Sequence, residues 1–146
     1  MRTILFLCTG NYFRSRFAEE WFKHLASKRG LGWRAASAGL AQNCRARNPG
    51  PISPHTLAGL RERGVELPDP SRAPVDVTRE ALERCDRVIA LKEAEHRSRV
   101  EAAFPELAWR VTYWHVDDVD CVAPHVAIER IERQVAALID EIERGA

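Results

Sequence analysis

An apolar run that stops abruptly at a polar loop constrains the fold more than any other feature of this sequence. Thr3 to Leu7 reads TILFL, a continuous β-favouring run of the kind that is buried on both faces of a sheet. The segment CTGNYFRS follows directly over residues 8–15, and a helical pattern begins with RFAEEWF over residues 16–22. Strands covered on both faces belong to parallel sheets with helical crossovers, so this region favours an α/β fold.

Alternating strand and helix patterns continue along the chain. We expect a second strand over residues 32–37 and a third over residues 86–91. Ser53 and Pro54 are typical of a helix N-cap and its first helical position, and Thr78 is a second candidate N-cap. Residues 40–53 are rich in asparagine, glycine and proline, and we expect them to form an irregular loop.

The C-terminal part of the chain completes this pattern. Residues 92–104 predict a charged helix, and residues 107–114 predict the last strand. A final helix should pack back on the sheet through an aliphatic stripe formed by Ile128, Ile131, Val135, Leu138, Ile139 and Ile142. The order of the elements predicts one domain over residues 1–146, with a three-layer α/β/α architecture, a parallel sheet and about five helices. Ligands bind such sheets beyond the carboxyl ends of the strands, where residues 8–15 lie.

Composition excludes several classes of protein. Lysine and arginine number 22 against 21 acidic residues, so no basic field for nucleic acid or a membrane surface is expected. No apolar stretch approaches the roughly 18 residues of a membrane span, and we expect a cytoplasmic protein. The four cysteines contain no CxxC pair and the five histidines show no ligand spacing, so neither a disulfide framework nor a metal site is expected.

Residues 8–15 contain the groups needed to bind and attack an oxyanion. A strand that turns through a short loop into a helix aims backbone N–H groups and the positive end of the helix dipole at one point. That field favours the thiolate of Cys8, while the guanidinium of Arg14 can bind two oxygens of a tetrahedral anion. Ser15 can donate a hydrogen bond to the sulfur. The alternative is that Cys8 is an ordinary packed thiol at the end of a strand.

Two further residues suit this loop. Gly10 permits tight turning of the backbone, and Asn11 tolerates a left-handed conformation. None of the other three cysteines has an arginine six residues later, so the spacing singles out Cys8.

The chain resembles the low-molecular-weight protein tyrosine phosphatases and the related thioredoxin-coupled arsenate reductases over essentially its full length. The motifs that carry the resemblance are CTGNYFRS at residues 8–15, SAG at residues 37–39 and YWHVDDVD at residues 113–120. The resemblance implies a flavodoxin-like sheet of four parallel strands in the order 2-1-3-4. It also implies that the protein uses no metal or organic cofactor.

The resemblance assigns roles to individual residues. It makes Cys8 the nucleophile, Arg14 the clamp on the transition state and Asp118 the general acid, with Asp117 and Asp120 as nearby competitors for the last role. The phosphate-binding residues would be Thr9, Gly10, Asn11, Tyr12, Phe13, Arg14 and Ser15. Support of the loop would come from Asn11, Ser15 and Ser37.

The leading functional hypothesis is a phosphomonoesterase that hydrolyses phosphorylated protein side chains through a phosphocysteine intermediate, as a monomer or weak dimer. The first alternative is arsenate reduction, which in relatives needs a resolving cysteine near the position of Lys92. The second is a phosphate-binding module without turnover.

Departures from the family concern the substrate pocket. Tyr12 and Phe13 stand where the phosphatases usually have a small or aliphatic residue and often a second cysteine. Trp114, Tyr12 and Tyr113 are candidates for an aromatic wall, although Tyr12 can instead narrow the mouth. Ser71 stands where relatives often have a histidine that supports the loop.

Overall fold

A parallel four-stranded sheet lies at the centre of the computed structural model, which describes residues 1–145. The strands are β1 (Arg2–Cys8), β2 (Trp33–Gly39), β3 (Arg87–Ala90) and β4 (Val111–Tyr113). They are all parallel and their order is β2-β1-β3-β4. The expected order of strands is therefore confirmed.

Residues 1–145 contain six α-helices and one 3-10 helix, where about five helices were expected. The α-helices are α1 (Arg14–Lys28), α2 (Cys44–Arg47), α3 (Pro54–Glu62), α4 (Arg79–Arg84), α5 (Glu93–Ala103) and α6 (Pro124–Glu143), and the 3-10 helix spans Pro105–Arg110. Ser53 and Thr78 cap α3 and α4 with their side chains, as their sequence positions predicted.

Two sequence predictions were wrong in extent. The segment 40–53 is not wholly irregular, because the Asp76 carboxylate accepts hydrogen bonds from the backbone N–H groups of Asn43 and Cys44 and holds the start of α2. The last strand begins at Val111 rather than at residue 107, because Pro105 stands in the first turn of the 3-10 helix.

The apolar run of β1 is buried on both faces of the sheet, as its sequence predicted. Ile4 and Phe6 point to the face covered by α1 and α6, in the same core cluster as Cys8. Leu5 and Leu7 point to the opposite face, where they belong to the cluster that contains Leu82 of α4 and Val100 of α5. The C-terminal aliphatic stripe packs on the first face, since most of its members are fully buried there.

Parallel strands bring their carboxyl ends to one edge of the sheet. Cys8, Ala90 and Tyr113 end β1, β3 and β4, so the segments that follow these strands meet at this edge. No helix within residues 1–145 is long and apolar enough to cross a membrane.

Candidate active site

The loop from Cys8 to Arg14 connects β1 to α1 and is shaped by a left-handed turn. Asn11 has φ of 52°, a conformation that few residues other than glycine and asparagine tolerate. The start of α1 has no side-chain cap and no acidic residue in its first turn. Its positive end is therefore free to act on an anion held in the loop.

A chain of hydrogen bonds fixes the Cys8 sulfur. Ser15 Oγ lies 2.9 Å from Cys8 Sγ and accepts a hydrogen bond of 2.9 Å from Asn11 Nδ2. Because its lone pairs face Asn11, the Ser15 hydroxyl can donate its proton to the sulfur. Asn11 also donates to Ser37 Oγ (2.9 Å) and accepts from the backbone N–H of Val75 (3.1 Å). The three residues expected to support the loop are thus brought together.

This chain ends on a buried carboxylate that the sequence analysis missed. Ser37 donates to Glu19 at 2.5 Å, and Glu19 also receives hydrogen bonds of 2.8 Å from Arg72 and from Lys23. Glu19 is only 1% exposed. Burial alone would raise its pKa, but the hydrogen bonds from Arg72, Lys23 and Ser37 outweigh burial and hold the pKa of Glu19 below its ordinary value.

Position 72, rather than position 71, supports the loop. Ser71 is exposed and bonds only to Asp69, whereas Arg72 reaches Glu19. Ser71, which stands where relatives often have a supporting histidine, thus gives no such support here, and the neighbouring Arg72 makes the contact with Glu19.

Arg14 is buried and is held by a second acidic residue that the sequence analysis missed. Its Nη1 and Nη2 donate to the two carboxylate oxygens of Glu95 at 3.0 and 2.8 Å, and Nη1 also donates to the Val116 carbonyl at 2.9 Å. Although burial opposes the charge, the hydrogen bond to Glu95 and the nearby negative charges raise the pKa of Arg14. Both protons of Nη1 are thus used, and the edge formed by Nε and Nη2 remains for a ligand.

Glu95 is in turn fixed by the loop and by a buried histidine. Thr9 donates its hydroxyl proton to Glu95 Oε1, and His96 Nε2 lies 3.1 Å from Thr9 Oγ1. The backbone N–H of Lys92 donates to His96 Nδ1 at 3.0 Å, which leaves the ring proton on Nε2. Hydrogen bonds from His96, Arg14 and Thr9 hold the pKa of Glu95 far below its ordinary value, despite partial burial. The carboxylate is therefore a fixed negative partner for Arg14.

The three clustered aspartates occupy different places. Asp118 lines the cavity above Cys8 and its Oδ2 lies 3.4 Å from Arg14 Nη2. Asp117 forms an ion pair of 2.5 Å with Lys92, and Asp120 is exposed outside the lining of that cavity. Of the three carboxylates, only that of Asp118 shares the cavity with the sulfur.

The cavity has a volume of about 550 Å³ and is lined by the rings of Tyr12, Phe13 and His55. Tyr12 is half-buried and lines it, and Phe13 lines it from below while belonging to the core. The expected contribution of Trp114 and Tyr113 to an aromatic wall was wrong. Trp114 packs on Phe6 with ring centres 5.8 Å apart, and the ring of Tyr113 lies under Arg97.

Two of the other three cysteines, Cys44 and Cys85, lie away from Lys92, whereas Cys121 lies close enough to interact electrostatically with Lys92. Cys44 is buried behind the loop, where burial and the neighbouring Asp76 raise its pKa to about 12. Cys85 precedes β3, at the opposite edge of the sheet from Cys8, and Cys121 is exposed after Asp118. Within residues 1–145 no group of three or more histidine, cysteine or acidic side chains is arranged to hold a metal ion.

Sequence comparisons agree with this geometry. The family model of the low molecular weight phosphotyrosine protein phosphatases matches residues 3–145. An arsenate reductase of Brevibacillus brevis is 30% identical over 117 residues, which cover 80% of this chain and 76% of the relative. A protein-arginine-phosphatase of Bacillus subtilis is 34% identical over 101 residues, which cover 69% of this chain and 62% of the relative.

Solved structures share the fold. YfkJ from Bacillus subtilis superimposes with a TM-score of 0.84 at 23% identity, covering 99% of this chain and 96% of that one. A low molecular weight protein tyrosine phosphatase from T. tengcongensis gives a TM-score of 0.77 at 25% identity, with 100% of both chains covered.

The glycine of the SAG segment allows the loop to approach β2. A Cβ atom on Gly39 would collide with Cys44 Sγ and would lie 2.9 Å from the carbonyl oxygen of Thr9. We expect Gly39→Ala to lower the free energy of unfolding by about 1–3 kcal/mol, the usual cost of overpacking. Its kcat/KM for p-nitrophenyl phosphate should also fall, since the loop must move. Gly32→Ala is the matched control, because nothing lies within 4 Å of its Cβ position; equal stability of the two variants would contradict the steric account.

Glu95 should affect turnover through Arg14. We expect Glu95→Gln to lower kcat for p-nitrophenyl phosphate by about 10- to 100-fold, because a hydrogen bond between charged partners is replaced by a neutral one. The control is Glu93→Gln on the same turn of α5, since Glu93 pairs with the exposed Arg97. The same kcat in both variants would show that Glu95 does not position Arg14.

We expect Glu19 to make the free energy of unfolding depend on pH in the acidic range. Because its pKa is lower in the folded chain, its stabilising effect is complete above about pH 4.5 and is lost as the pH falls. We expect Glu19→Gln to lower the free energy of unfolding by about 1–3 kcal/mol near neutral pH and to weaken its dependence on pH, measured by urea unfolding from pH 7 to pH 3. Glu80→Gln removes only an exposed ion pair with Arg84, and this variant should keep the pH dependence of the unchanged protein. A Glu19→Gln curve parallel to that of the unchanged protein would disprove the linkage.

Proposed function

The chain belongs to the low molecular weight phosphotyrosine protein phosphatase family, and on that premise we propose that it hydrolyses phosphotyrosine in proteins with Cys8 as the nucleophile. Members of this family are cysteine-based enzymes that form a covalent intermediate. The observation that carries the assignment is that the Cys8 sulfur, the Arg14 guanidinium and the Asp118 carboxylate line one cavity.

The first step transfers the phosphoryl group to the sulfur. The Cys8 thiolate attacks phosphorus in line, the S–P bond forms and the P–O bond to the tyrosine oxygen breaks. Asp118, entering this step as the carboxylic acid, gives its proton to the departing oxygen, which leaves as a neutral phenol. In the second step the Asp118 carboxylate takes a proton from water, the water oxygen bonds to phosphorus, and the thiolate and inorganic phosphate are released.

Arg14 and the loop stabilise the charge on the transferred group. The proton on Nε of Arg14 and the proton on Nη2 that Glu95 does not use can bind two equatorial oxygens of the phosphoryl group. A phosphate bound there would replace the long contact of 3.4 Å between Arg14 and Asp118. Asp118 would then be free to turn toward the leaving oxygen.

The lining of the cavity favours a phosphorylated aromatic ring over phosphorylated arginine. Tyr12, Phe13 and Val119 present apolar surface beside the nucleophile. The guanidinium of a phosphoarginine substrate would need a carboxylate partner of its own. Among the described residues that line the cavity, the only carboxylate is Asp118, which the reaction uses for proton transfer.

Arsenate reduction remains a second hypothesis because several relatives carry that name. The segment that would hold the resolving cysteine, residues 91–103, contains none. Lys92 is instead paired with Asp117. These observations support phosphate hydrolysis.

We also propose that residues 1–146 act as one domain in the cytoplasm, as a monomer or weak dimer. The site joins Cys8 near one end of the chain to Asp118 near the other, which supports a single functional unit. The four cysteines are free thiols, and a catalytic thiolate needs a reducing compartment.

Two substrates whose leaving groups differ in their need for a proton can separate the role of Cys8 from that of Asp118. We expect Cys8→Ser to abolish hydrolysis of both p-nitrophenyl phosphate and phenyl phosphate. Asp118→Asn should lower kcat by about 10²- to 10⁴-fold with phenyl phosphate and less with p-nitrophenyl phosphate, whose phenolate leaves without protonation.

Asp120→Asn is the matched control, since Asp120 does not line the cavity, and its kcat should stay within about twofold of the unchanged protein. Activity of Cys8→Ser would contradict the proposed nucleophile. Equal losses of Asp118→Asn on the two esters would contradict its role as the acid.

A further inference from the structure

We propose that Arg47 binds an acidic residue next to the phosphotyrosine, so that this enzyme prefers phosphopeptides with aspartate or glutamate beside the phosphorylated residue. This inference rests on the proposed phosphotyrosine phosphatase function. It concerns a part of the cavity wall that takes no part in the transfer of the phosphoryl group.

Arg47 is the last residue of α2 and lines the catalytic cavity together with Asn48 and Pro49. Its side chain is exposed, and it makes no hydrogen bond or ion pair with any other described residue. Most other cations near the loop are already paired, as Arg14 is with Glu95 and Arg72 with Glu19. Arg47 is therefore a positive charge at the cavity without a partner of its own in residues 1–145.

The backbone that carries Arg47 is fastened to the nucleophile loop on both sides. Before it, Cys44 is fully buried and its Sγ lies 3.6 Å from the carbonyl oxygen of Thr9 in the loop. After it, Asn48 Nδ2 donates to the carbonyl of Gly10 at 3.1 Å and to that of Cys44 at 2.8 Å. The backbone of Arg47 is thus held at a fixed place relative to the Cys8 sulfur. The side chain of Arg47 has no partner among the described residues and is free to contact a substrate.

The positive charge on this side of the cavity favours a negatively charged residue of the substrate. The N-terminus of α3 also faces the cavity on this side, through Ser53, Pro54 and His55. The helix dipole there adds positive potential to that of Arg47. Asp118 and Val119 form the lining contributed by the other loop. A carboxylate beside the phosphotyrosine gains from contact with Arg47, and a lysine there is repelled.

The test compares three phosphotyrosine peptides that differ only in the two residues flanking the phosphotyrosine, which are aspartate, asparagine or lysine. We expect kcat/KM to be about two- to fivefold higher for aspartate than for asparagine at low salt, the size of an exposed ion pair, and lower for lysine. Arg47→Gln should bring the ratio of kcat/KM for aspartate to that for asparagine close to one. Arg47→Glu should reverse the preference, so that the lysine peptide has the highest kcat/KM. High salt should shrink the ratio in the unchanged protein.

Arg45→Gln is the matched control, since Arg45 is an exposed arginine on the same short helix that does not line the cavity. It should keep both the rate and the aspartate to asparagine ratio of the unchanged protein. Turnover of all three peptides with equal kcat/KM, or an unchanged ratio in Arg47→Gln, overturns this inference and leaves the proposed function standing. Failure to hydrolyse any of the peptides would instead contradict the proposed function.

Discussion

The side chain of Asn11 joins the parts on which the site depends. Its amide nitrogen donates to Ser15 at the start of α1 and to Ser37 on β2, and its oxygen accepts from the backbone of Val75. Asn11 makes these three bonds in a left-handed conformation, with φ of 52°, and is buried. The same turn lets the loop close around an anion while the Ser15 hydroxyl stays directed at Cys8. The surroundings of the Cys8 sulfur are therefore linked to this turn through Asn11 and Ser15.

Two carboxylates supply the electrostatic frame around this loop. Glu19 lies beneath it and pairs with Arg72 and Lys23, and Glu95 lies beside it and pairs with Arg14. The side chains of Glu19 and Arg14 are each 2% exposed, so the loss of its partners would leave either one as an uncompensated buried charge, which is costly. The positive end of α1 remains uncompensated, since its first turn has no acid and no cap. A bound phosphoryl group thus meets a prearranged positive site that needs little reorganisation.

The chemistry and the selectivity of the site come from different segments. The sulfur, the guanidinium and the carboxylate belong to loops at the carboxyl edge of the sheet, which the fold brings together whatever the substrate. Tyr12 and the wall around Arg47 also line the cavity, and their side chains do not react in the proposed transfer step. Relatives of this chain bear the names of arsenate reductase and of protein-arginine-phosphatase.

The sequence by itself determined the local features, since hydrophobic period, turn residues and motif spacing are properties of neighbouring residues. The apolar run of β1, the caps Ser53 and Thr78 and the loop from Cys8 to Ser15 could be recognised in this way. The start of β4 could not, because an apolar segment after Pro105 suits a strand and a 3-10 helix equally well.

Only the tertiary structure decided the partners of the buried charges. Glu95 meets Arg14 across 81 residues and Arg72 meets Glu19 across 53, and no local pattern links residues so far apart. Such pairs form because the crossovers of a parallel sheet bring distant segments to one edge, where a buried charge must find a counter-charge.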